Sequence, residues 1–143
     1  RKDLFEIKKV KYTTKNSKIL IVRSEYNDTA DMEIITNKTI DANKELKRTT
    51  IVVKGAFEIP VTIAKNIDKY DGFIAIGIII KGETTNFSLI SQSITHAIMN
   101  LSISSKKPIG NAVLTCLTKK QAAERVAKGE EAANAVIDIL RQN

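Results

Sequence analysis

Four short stretches of this chain hold the residue types that could do chemistry. Lys81-Gly82-Glu83-Thr84-Thr85 follows an apolar run over 72–80 and precedes Phe87, Leu89, Ile90, Ile94, Ile98 and Leu101 at helical spacing. A strand that turns at a glycine into a long helix leaves the first backbone N–H groups of that helix without internal partners. They point at the turn, where they favour an anion such as phosphate. Glu83 and Thr84 sit in this turn and Asn86 ends it. The second stretch, Gly55-Ala56-Phe57-Glu58, leads into Ile59-Pro60, so Glu58 stands where a helix N-terminus favours a carboxylate. Tyr26-Asn27-Asp28 and Glu124-Arg125, the latter followed by Lys128-Gly129, complete the set. Each has a plainer alternative: Tyr26 as a packing residue, Glu58 as the partner of a lysine, Arg125 as a helix-surface charge.

Elements alternating along the chain must position these residues. The apolar run over 18–23 reads as a first strand, with Asp28 or Thr29 capping a helix that continues to about residue 46. A second short strand covers 49–54, and Pro60 suits the first turn of a helix over 59–67. The run over 72–80, β-branched and nearly unbroken, is a central strand buried on both faces. A long helix follows, then a fourth strand over 109–116 whose first half Gly110 and Asn111 weaken. Thr118 caps a further helix through its own hydroxyl, Gly129 marks a break, and the stretch over 130–140 is an amphipathic helix with Ala133, Val136, Ile137 and Leu140 inward. Strands alternating with helices imply an α/β fold, a three-layer α/β/α sandwich with a four-stranded parallel sheet and helices on both faces. Ligands bind such a sheet at the carboxyl edge of its strands. One domain spanning 1–143 is expected, with residues 1–16 as an arm or an outlying strand that pairs with another subunit.

Composition narrows the function. The formal net charge is +7, but the lysines and arginines are spread over turns and polar helix faces, with no basic block interleaved with aromatics. A solvated surface accounts for them better than nucleic-acid binding does, and the positive field helps to collect a small phosphorylated substrate. Aromatics make up 5% of the residues, so the core rests on Ile, Val, Leu and Ala. One cysteine, Cys116, and one histidine, His96, exclude an intrachain disulfide and a Cys/His zinc cage within one chain. Cys116 reads as a small buried hydrophobe and His96 as a helix-surface or interface residue. The longest apolar run is about half of what a bilayer span needs, and the opening Arg1-Lys-Asp-Leu-Phe-Glu6 lacks the apolar core of a secretory signal. The expectation is a soluble, cytoplasmic chain without a membrane partner.

Three blocks together resemble the 6,7-dimethyl-8-ribityllumazine synthase family of riboflavin synthesis: Gly55-Ala-Phe-Glu-Ile-Pro60, Gly77-Ile-Ile-Ile-Lys-Gly-Glu-Thr-Thr-Asn-Phe87, and Glu124-Arg125 with Lys128-Gly-Glu-Glu-Ala-Ala133. Tyr26-Asn27-Asp28 fits the aromatic-Asn-Asp turn of the same family, and the match runs in order from about residue 18 to 140. The resemblance implies flavodoxin-like strand order and a condensation of 5-amino-6-ribitylaminouracil with 3,4-dihydroxy-2-butanone 4-phosphate, without cofactor or metal. It implies that Tyr26 stacks on the pyrimidine, that Ala56, Phe57 and Glu58 hold the ribityl chain, and that backbone groups of Ile78, Ile79 and Ile80 read the pyrimidine edge. Glu83, Thr84 and the helix N-terminus correspond to the phosphate cradle, and Arg125 to the phosphate-binding arginine. Lys128 joins them on the substrate-binding side. The implied assembly is a pentamer or a pair of pentamers, with the site between neighbours and Asn111 and Arg125 coming from the adjoining subunit.

Three departures from the family pattern bear on catalysis and assembly. Asn86 stands where the family places its proton-carrying histidine, and a carboxamide has no useful basicity near neutral pH. His96 lies ten residues further along the helix, on a different side and about 15 Å away along the axis. Asn111 replaces an aromatic or apolar ring contact, and the segment between Arg125 and Lys128 is shorter than in capsid-forming members. The expected function is lumazine synthesis slowed by Asn86. The alternative is a catalytically weak homologue that binds flavin or lumazine on the same scaffold.

Overall fold

The computed structural model describes residues 16–83 and 86–142. Strands β1 (Ser17–Ser24), β2 (Leu46–Val53), β3 (Gly72–Ile80) and β4 (Ile109–Cys116) form one parallel sheet in the order β2-β1-β3-β4. Helices α1 (Ala30–Asp41), α4 (Lys119–Glu124) and α5 (Lys128–Leu140) cover one face, and α2 (Ile59–Lys65) and α3 (Phe87–Ser105) cover the other. The expected sandwich and its flavodoxin-like order are both present. The proposed arm over 1–16 lies, but for Asn16, outside the described residues.

The central strand explains the layers. Every residue of β3 is buried, with β1 paired on one side and β4 on the other. Alternation survives in it as destination, not polarity. Ile74, Ile76, Ile78 and Ile80 enter the core shared with α1 and α5, while Phe73, Ala75 and Ile79 enter the core shared with α2 and α3. Each isoleucine so buried contributes about 1.5–3 kcal/mol relative to exposure.

Three sequence expectations are corrected. The first helix ends at Asp41, not near residue 46, and Leu46 opens β2, three residues earlier than expected. Lys47 and Arg48 disguised this start, yet an edge strand paired on one side tolerates them, and Leu46 packs onto the core while Arg48 clamps Asp41 with two 2.8 Å hydrogen bonds. Helix α2 stops at Lys65 and is entered through a 3₁₀ turn over Ala56–Glu58. Gly129 is no break: it lies inside α5, buried against α1. The interruption falls just before it, after Glu124. The Thr118 cap is present as expected, its hydroxyl accepting from the N–H of Gln121 at 3.2 Å.

Candidate functional site

The carboxyl ends of β1 and β3 bring together residues far apart in sequence. Past Ser24 the chain stays beside β2, with the N–H groups of Glu25 and Tyr26 donating to Val53 and Lys54 carbonyls at 2.8 and 3.0 Å. Asn27 then takes a left-handed backbone (φ 65°), a conformation Asn tolerates better than most side chains. Its Nδ2 donates to the carbonyl of Ile78 at 3.1 Å, pinning the turn to the end of β3. From the other side, the Glu58 carboxylate accepts from the Gly55 N–H at 2.9 Å, closing the 3₁₀ turn that presents Ala56 and Phe57. This capping bond, not a lysine, is what Glu58 engages.

These segments enclose a cavity of about 160 Å³ lined by Tyr26, Asn27, Ala56, Phe57, Ile78, Ile79 and Ile80, with Ile90 of α3. Tyr26 and Phe57 are 56% and 64% exposed, which does not fit packing residues and leaves two aromatic faces open to a ligand or a partner. Small-molecule sites usually occupy ~300–1,000 Å³, so this cavity is too small to hold a substantial ligand alone. Beside it, Lys81, Gly82, Glu83, Asn86, Phe87 and Ser88 line a wide open depression of about 690 Å³ at the start of α3.

Backbone geometry shapes that depression. Lys81 N–H donates to the Cys116 carbonyl at 2.9 Å and Glu83 N–H to the Ile80 carbonyl at 3.2 Å, while Gly82 adopts φ 97°, which a residue with a Cβ rarely does. Asn86 is the N-cap of α3 and makes no side-chain capping bond, so its carboxamide is available at the helix start. The Glu83 carboxylate is turned toward Lys119, 3.6 Å away. Thr84 lies outside the described residues.

The remaining expected site residues are elsewhere on the chain. Arg125 caps the C-terminal end of α4, exposed, with Nη1 donating to the Cys116 sulfur at 4.0 Å. Lys128 opens α5 and faces Glu131 at 3.8 Å. Asn111 lies in the first half of β4, opposite Ala75, and its Oδ1 accepts from the Val113 N–H at 2.9 Å along the open edge of the sheet. Tyr26, Ala56, Phe57 and the three isoleucines thus share one trough, and Glu58, Glu83 and Asn86 border it. Arg125, Lys128 and Asn111 do not line it, though Arg125 contacts Cys116, the register partner of Ile80. Asn27 was missing from the expected site; its signal was a left-handed-tolerant residue between an exposed tyrosine and a helix start. Lys119, likewise missed, carries no sequence signal, because its partner is 36 residues away.

The sequence profile of the 6,7-dimethyl-8-ribityllumazine synthase family matches residues 16–143. The chain belongs to this family. It is 36% identical to the 6,7-dimethyl-8-ribityllumazine synthase of Agrobacterium fabrum, a match covering 85% of this chain and 91% of that protein. It is 30% identical to the synthase of Beijerinckia indica over 99% of this chain and 83% of the relative. With the synthase of Polynucleobacter necessarius identity reaches 44%, over 62% of this chain and 54% of that one. In this lumazine synthase family member the Tyr26-Asn27-Asp28 turn, the Gly55-Ala-Phe-Glu58 block and the Gly82-Glu83 turn lie on the same sheet edge. Among the described residues no helix is long and apolar enough to cross a membrane, and no group of three or more His, Cys, Asp or Glu side chains could hold a metal ion.

Proposed function

We propose that the protein condenses 5-amino-6-ribitylaminouracil with 3,4-dihydroxy-2-butanone 4-phosphate, releasing phosphate and water to form 6,7-dimethyl-8-ribityllumazine. The observation that carries this reading is the convergence of Tyr26, Ala56, Phe57 and Ile78–Ile80 beside the start of α3, in a chain of this family. Tyr26 stacks on the pyrimidine, carbonyl and N–H groups at the end of β3 read its edge, and the 3₁₀ turn with Glu58 takes the ribityl hydroxyls. The phosphate sits over the first turn of α3, where fixed N–H dipoles stabilise charge as it develops on the leaving group. Holding both substrates in one trough removes translational freedom before any proton moves. Asn86 orients by hydrogen bonding but cannot take up and release a proton near neutral pH, so turnover is slow for the family.

The site is completed between copies. The 160 Å³ cavity is too small for the substrates, and Tyr26 and Phe57 are exposed at its rim. Arg125, Lys128 and Asn111 do not line it within one chain and are supplied by the neighbouring subunit of a pentamer, or of a pair of pentamers, in the cytoplasm. The guanidinium then clamps the phosphate in bidentate fashion. Lumazine absorbance after mixing both substrates with the protein tests the reaction. Turnover above the protein-free mixture is expected, and Arg125→Ala should raise KM for the phosphorylated substrate at least tenfold, the cost of a lost charge-assisted contact of about 1.5–3 kcal/mol. Turnover equal to the protein-free mixture, or an Arg125→Ala variant with unchanged kinetics, contradicts the proposal.

A further inference from the structure

We propose that Lys119 is a positioning residue for the anion subsite, the counter-ion that neutralises Glu83 and draws its carboxylate away from the start of α3. The inference rests on the reading of that helix start as the phosphate-binding end. Glu83 lines the same depression as Asn86 and Phe87, so an unpaired carboxylate there opposes an incoming phosphate dianion. The backbone gives Glu83 no easy retreat, since its N–H is held by Ile80 and Gly82 is in the left-handed region. Its side chain is 29% exposed, and its oxygen Oε2 lies 3.6 Å from Lys119 Nζ.

Lys119 is well placed to act from outside the trough. It is the first residue of α4, whose start is secured twice: Thr118 Oγ1 accepts from Gln121 N–H at 3.2 Å, and Gln121 Oε1 accepts from Leu117 N–H at 2.8 Å. Its ammonium, on a stem 75% exposed, reaches back over the end of the sheet to the turn after β3. Asp28 and Asp31 line a cavity of about 290 Å³ together with Lys119.

Inhibition by inorganic phosphate, measured against the phosphorylated substrate, separates this role from a structural one. Lys119→Met should weaken phosphate inhibition about fivefold, the upper end for an exposed ion pair, and Lys119→Arg should stay within about twofold of the parent. The double variant Glu83→Gln/Lys119→Met should return to within about twofold of the parent, because no carboxylate remains to be neutralised. KM for ribitylaminouracil should be the same in both single Lys119 variants, and the Lys119→Met defect should shrink as salt rises from about 0.02 to 0.5 M. Unchanged phosphate inhibition in Lys119→Met overturns this inference alone. So does a double variant as weak as Lys119→Met, which would put the lysine on the anion directly. Phosphate that fails to compete in the parent protein overturns the anion site itself, and this inference with it.

Discussion

Replacing Gly129 by alanine should lower stability by about 2 kcal/mol, opposite in sign to what helix propensity predicts. Propensity favours alanine over glycine in a helix by about 1 kcal/mol. At this position, though, an added Cβ would run into Thr36 Oγ1 and stand 2.7 Å from the Met32 carbonyl oxygen and 3.0 Å from Met32 Cγ. Thr36 Oγ1 donates to that carbonyl at 2.8 Å, so the Met32 oxygen is fixed backbone of α1 and the hydroxyl can swing aside only by giving up this bond. Overpacking costs about 1–3 kcal/mol, and a clash with backbone belongs at or above the upper end. Subtracting the propensity gain leaves about 2 kcal/mol, or roughly 6 °C in Tm for a chain of this size. Thermal unfolding by circular dichroism at fixed protein concentration measures it, and Gly129→Ala/Thr36→Ala should recover part of the loss by removing the hydroxyl. The N–H groups of Lys128 and Gly129 bond to the Arg125 and Val126 carbonyls at 3.1 Å each, so a displaced α5 also moves the Arg125 turn. KM for the phosphorylated substrate should therefore rise in the same variant. A Tm equal to or above that of the parent would show that the α1–α5 contact yields freely and would refute the reasoning.

Three further outcomes are expected. Asn86→His should raise kcat, by up to ~10²-fold at the low end of general acid–base assistance, and introduce a rate inflexion between about pH 5 and 8. An unchanged, pH-flat kcat would show that proton transfer is not limiting at that position. Asn27→Ala removes the donor to the Ile78 carbonyl and puts alanine at φ 65°, so it should cost about 2 kcal/mol in urea unfolding and raise KM for ribitylaminouracil. Asn27→Gly should keep the backbone and recover part of the stability, and equal losses in the two would assign the whole effect to the amide. The hydrogen bonds from Arg48 lower the Asp41 pKa from the usual 3.8, an effect that burial opposes. The resulting stability is therefore present above the unfolded carboxylate range and is lost as pH falls through the lower folded value. Asp41→Asn should cost up to about 1 kcal/mol at pH 7, limited because the pair is half exposed. The gap from the parent should close as pH falls through the lowered folded value, and a gap that persists undiminished once the carboxylate is protonated in both states would mean that the charge is not its source.

The layered architecture was legible because it depends on local signals that tertiary context reinforces. A nine-residue apolar run ended by Lys81 has few alternatives to a doubly covered central strand, and Thr118 caps α4 with a bond closed three residues away. The blocks that mark the site were legible too, since each is a turn whose shape is written into glycine, asparagine and a capping glutamate. Boundaries failed where a long-range partner decided them. Leu46 joins β2 because Ser17 lies beside it in register, and Lys47 and Arg48 conceal this from any local pattern.

By itself the sequence determined which residues face two cores, where the chain turns and which family the blocks belong to, since these follow from side-chain period, backbone preference and composition. Only the tertiary structure decided that Gly129 is a packing contact with α1, that Asn27 locks the first turn onto β3, that Lys119 faces Glu83, and that Arg125, Lys128 and Asn111 do not line the trough. The physical reason is common to all four. Each depends on a separation in space between groups distant along the chain, and hydrophobic periodicity specifies which face a residue takes but not what it meets there.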